Sequence, residues 1–68
     1  MIFNVKENLI NSLRLKYEAD ILAAHTTIHI YLNNSVGIGE HPQHLEEIDK
    51  LLEKISSARD KLGELAHL

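Results

Sequence analysis

Five histidines are the side chains here best equipped for chemistry, because the chain has no cysteine. His25 and His29 are four residues apart, a spacing that places two imidazoles on one helical face within reach of a single metal ion. Glu18 stands on the same side but one repeat earlier, too far along to complete the same site easily. A two-fold partner could supply a second pair of imidazoles. The competing reading makes His25 and His29 boundary residues, amphipathic rings that cover the edge of an apolar stripe and face water. Glu64-Leu65-Ala66-His67 has the Glu-x-x-His spacing of di-iron carboxylate bundles, whose chemistry requires both groups to project inward. Leu62 and Leu65 claim the inward face, so Glu64 and His67 are expected to point away from it. His41 and His44, beside Glu40, form a third cluster. It reads as a solvated turn, with metal binding or a pH-dependent turn as the alternative.

Other chemistries find little support. Gly37-x-Gly39 precedes a helix start, but a phosphate loop needs a preceding strand, a third glycine in register or a Lys-Ser/Thr pair, and Glu40 would repel a phosphate there. The glycines are better explained as residues that let the backbone turn. Ser12, Ser35, Ser56 and Ser57 belong to no nucleophile motif. A net charge of −3 argues against a nucleic-acid partner, which selects a basic face. No catalytic residue and no cofactor are expected, and His25 and His29 are the only metal candidates worth testing.

The elements that must position these residues are two helices. Asn4 can cap the first, with Glu7 three residues later in the capping-box position. No glycine or proline follows until the turn. Ile10, Leu13, Tyr17, Ile21, Ala24, Ile28 and Leu32 recur with an eleven-residue period, which gives a nearly straight stripe. A strand over Thr26 to Leu32 is the local rival, but one strand alone would lack a pairing partner. The spacing predicts helix 1 over about 4–33, a turn over 34–41 and helix 2 over about 42–67. Gly37, Gly39 and Pro42 shape the turn, and proline is favoured in the first helical position, with His41 as its cap. In helix 2, Ile48, Leu51, Ile55, Ala58, Leu62 and Leu65 form a heptad stripe, which Leu45 and Leu52 widen. Glu46 and Lys50 are spaced for an i,i+4 ion pair. The fold class is all-α: an antiparallel two-helix hairpin in one domain.

Helix 1 carries more apolar surface than one partner helix covers. No Asp, Glu, Lys or Arg occurs from Ile21 to Gly39. Leu15, Ala19, Leu22, Ala23, Thr26 and Ile30 lie roughly opposite the core stripe, and a helix apolar nearly all round is normally buried. Sixty-eight residues without disulfides also fall in the size range where small domains lean on oligomerisation. The expectation is a homodimer that forms a four-helix bundle through helix 1. The apolar run Ile21 to Leu32 is 12 residues and includes two histidines, short of the about 20 apolar residues a membrane span needs. No secretory leader is evident and cysteine is absent, which fits a cytoplasmic setting.

The stretch Tyr31 to Leu45, Tyr-Leu-Asn-Asn-Ser-Val-Gly-Ile-Gly-Glu-His-Pro-Gln-His-Leu, resembles a group of small uncharacterised proteins of tailed phages of marine bacteria, including cyanobacterial hosts. The likeness continues through Ile48 to Leu62 of helix 2. It implies the same helical hairpin and a phage-infected bacterial cell as the setting, and carries no activity, ligand or catalytic residue. The functional expectation is a non-enzymatic interaction or structural module that self-associates through helix 1. The alternatives are a metal-binding bundle using His25 and His29, and an adaptor that docks a partner through the Gly37–Gly39 tip, with Val36 and Ile38 as contacts.

Overall fold

A computed structural model of the chain describes residues 3–33 and 43–68. They form two α-helices, α1 (Val5–Asn33) and α2 (Gln43–Leu65). The start of α1 follows from its cap: Asn4 Oδ1 accepts a hydrogen bond from the Glu7 backbone N–H at 3.0 Å. That satisfies one of the donors a helix N-terminus leaves unpaired. Thr26 to Leu32 is helical, so the continuous stripe from Ile10 outweighs the local β-propensity of its isoleucines and threonines. Gly37, Gly39, Pro42 and the His41 cap, with Glu40, Val36 and Ile38, lie outside the described residues.

The helices run antiparallel. Tyr31 near the end of α1 meets His44 at the start of α2, with ring centroids 5.1 Å apart. Further along, the Lys61 ammonium lies 5.5 Å from the Tyr17 ring centroid. Between these contacts sits the core. Ala24, Ile28, Ile55 and Ala58 are buried, and Ile21, Ile48 and Leu51 pack partly buried against the cluster of Ala24, Ile28 and Ile55. Alanine and isoleucine alternate along each buried stripe, small side chains beside large ones, a pattern that suits packing of ridges into grooves. Ile10, Tyr17, Leu62 and Leu65 extend the stripe half-buried. The molecule measures 56 × 22 × 12 Å over its Cα atoms, a layer one helix deep. Each helix therefore has one covered flank, and each buried isoleucine contributes about 1.5–3 kcal/mol.

Several details differ from the sequence reading. Leu45 and Leu52 do not widen the core; they stay 72% and 52% exposed. Leu32 is also exposed, and Leu13 stays 38% exposed at the edge of the stripe. A single partner helix shelters only a narrow sector, and these four residues fall outside it. Lys50 pairs with Glu47 at 3.6 Å rather than with Glu46. Both spacings bring side chains together on a helix, and this pair is solvent-exposed and worth little. Helix α2 stops at Leu65 rather than His67. Ala66, His67 and Leu68 each donate to the carbonyl three residues back, the tighter bonding typical of a helix terminus. Leu68 then lies beside Val5, Leu9, Ile10 and Leu13 around an open apolar groove at the free end of the hairpin.

Candidate functional site

The candidate site is the outer face of α1, directed away from α2. At 100° per residue, Leu15, Ala19, Leu22, Ala23, Thr26 and Ile30 project opposite the core stripe. All six are exposed, with Leu15 at 65%, Leu22 at 69% and Ile30 at 62%. Three large aliphatic side chains on one half of one helix are thus left in water by the single hairpin. The one hydroxyl among these six residues, and that of the neighbouring Thr27 on the flank, are bonded within the helix. The Thr26 hydroxyl donates to the Leu22 carbonyl at 2.8 Å, and the Thr27 hydroxyl donates to the Ala23 carbonyl at 2.9 Å. Bonding of this kind back into the preceding turn satisfies the hydroxyl within its own helix. Ser12, at the lower end of the same face, likewise donates to the Asn8 carbonyl at 2.7 Å.

Charge borders this face without crossing it. Lys16 Nζ and Asp20 Oδ2 form an ion pair at 3.1 Å on one flank, and the Lys16 ammonium lies 5.7 Å from the Tyr17 ring centroid. Together with Lys61, it brackets that ring with two cations. A shallow cleft beside it is lined by Tyr17, Asp20, Lys54, Ser57 and Lys61, the solvated flank where the two helices meet. The opposite flank of α1 holds Glu18, His25 and His29. Glu18 and His29 are exposed and His25 is half-buried. No group of three or more His, Asp or Glu side chains able to hold a metal occurs within the single chain, among the described residues. Glu64 and His67 are both exposed at the end of α2, away from the inward projection that a di-iron centre needs. Of the His41–His44 cluster, only His44 is described, and its ring lies against Tyr31.

Periodicity did not reveal the Tyr31–His44 contact or the cations around Tyr17. Both depend on the register between the helices, which no local pattern in either segment encodes. Among the described residues, no helix is long and apolar enough to cross a membrane. No protein-family model, curated protein or solved structure matches the chain.

Proposed function

We propose that this protein is a non-enzymatic association module in which two copies of the hairpin join through the outer faces of their α1 helices. The observation that carries the reading is the exposure of Leu15, Leu22 and Ile30 on a helix whose other face already packs on α2. Water contact with that much contiguous aliphatic surface is unfavourable at about 25 cal/mol per Å², and patches of this kind mark association sites. A second copy is the favoured occupant because two-fold pairing is the commonest form of homo-oligomer. The face also meets the self-complementarity that such pairing requires. About a point between Leu22 and Ala23 its six residues fall at mirrored levels: Leu15 with Ile30, Ala19 with Thr26, and Leu22 with Ala23. Polar residues close the stripe symmetrically, Ser12 at one end and Asn33 at the other. Antiparallel α1 helices would then place Leu15 over Ile30 at the ends, Ala19 over Thr26 inside them, and each Leu22 over the small Ala23 of its neighbour at the centre. The two α1 helices occupy the centre of the four-helix assembly, with an α2 on each outer side.

Sedimentation equilibrium of the tag-free chain over a hundredfold range of concentration tests this. The expected result is a species of twice the 7.7 kDa chain mass that dissociates on dilution. A single-chain mass at every concentration would overturn the proposal.

A further inference from the structure

The geometry points to a divalent-metal site split between two copies of the chain, in which Glu18 of one copy joins His25 and His29 of the other. This inference rests on the α1 pairing proposed above. Glu18, His25 and His29 fall within about 40° of one another in helical projection, on the flank of α1 away from Lys16 and Asp20. Within one chain, Glu18 lies seven residues before His25, about 10 Å along the axis at 1.5 Å per residue, so a single helix offers the two imidazoles alone.

Pairing changes the count. A two-fold axis normal to the plane of two antiparallel helices reverses chain direction but leaves each flank facing its own equivalent. About the point between Leu22 and Ala23, the mirror position of Glu18 is Thr27, midway between His25 and His29. The carboxylate of each copy is therefore placed between the two imidazoles of its neighbour, and the assembly holds two such clusters. Two imidazoles four residues apart plus one carboxylate is a three-ligand set that leaves a fourth position for water, the composition of open zinc sites. The side chains of Glu18, His25 and His29 make no hydrogen bond or ion pair within the chain, among the described residues, so no intrachain contact has to break for them to bind a metal.

Sedimentation of the tag-free chain in EDTA and in excess zinc tests the site. With each of two sites at ten times its dissociation constant, zinc is expected to tighten dimerisation by about a hundredfold, with two metal ions bound per dimer. Glu18→Gln and His29→Gln, each alone, should abolish this gain while leaving the metal-free dimer intact. The decisive sample is their mixture. A heterodimer of the two variants retains one complete cluster, built from Glu18 of one chain and both histidines of the other. Mixing should restore one zinc per heterodimer, whereas neither variant binds zinc alone. A dimer that does not respond to zinc overturns the metal site and leaves the association reading standing. A dimer whose zinc response survives Glu18→Gln, or a mixture that fails to restore binding, overturns the shared arrangement. A chain that is monomeric in both EDTA and zinc overturns both readings.

Discussion

Replacing Leu22 and Ile30 with glutamate should abolish association. Leu22 is 69% exposed and Ile30 62% exposed in the single hairpin, so about two thirds of each side chain remains to be buried by a neighbour. Complete burial of such a residue is worth about 1.5–3 kcal/mol, which leaves about 1–2 kcal/mol for each at the interface. Two-fold symmetry presents both residues twice, so the substitutions remove about 4–8 kcal/mol of apolar stabilisation from the dimer. Desolvating the introduced carboxylates adds to that loss. At about 1.4 kcal/mol per decade, the dissociation constant rises by at least about a thousandfold. Sedimentation velocity with far-UV circular dichroism reads both mass and helicity. Ser56→Glu, which adds the same charge at an exposed position on α2, should keep the parent's mass and separates a charge effect from loss of the face. If Leu22→Glu, Ile30→Glu sediments as a helical dimer like the Ser56→Glu control, the outer face of α1 is not the interface.

Three further outcomes concern the hairpin itself. Ile55 is 4% exposed at the centre of the core, and Ile55→Ala should cost about 2–5 kcal/mol, enough to remove most of the helical signal at 25 °C; a melt unchanged from the parent would contradict the packing described. Asn4→Ala removes the acceptor of the Glu7 N–H and should cost about 1 kcal/mol, seen as a lower thermal midpoint with the cooperative transition retained. A Cβ built on Gly63 meets nothing within 4 Å, so Gly63→Ala should stabilise α2 by about 0.5–1 kcal/mol. This raises the midpoint by about 2–8 °C, and a fall instead would mean that Gly63 is needed for a conformation that alanine resists.

Much of the architecture is legible in the residues. The continuous stripe from Ile10 carries α1 through Thr26 to Leu32, despite side chains that favour strands, because uninterrupted helical spacing outweighs local propensity. Asn4 announces the start of α1 through its ability to bond the Glu7 N–H. What periodicity does not supply is the width of the shelter. It places Leu45 and Leu52 near the stripe of α2, but the angular sector that α1 can cover depends on how the two helices pack in three dimensions, and both leucines stay exposed. The partner of Lys50 is similarly undetermined, since Glu46 and Glu47 are both within reach and side-chain rotamers decide between them. Of the candidate site, the exposed outer face can be read from the sequence as a second apolar stripe. That the side chains of Glu18, His25 and His29 make no intrachain hydrogen bond or ion pair, among the described residues, emerges only once side-chain contacts are placed.

The one-helix depth of the hairpin has a consequence for its dynamics. A helix in a thick protein has amides whose exchange with solvent deuterium waits on global unfolding; here, among the described residues, only Ala24, Ile28, Ile55 and Ala58 are buried, so opening a few turns exposes most of either helix. In the isolated hairpin, α1 and α2 should exchange at comparable rates, slowest near the shared centre around Ala24 and Ile55. Burial of the outer face of α1 breaks that parity. Protection should rise through Leu15 to Ile30 and much less in α2, so the ratio of exchange rates between the helices would report occupancy of the face without any mutation.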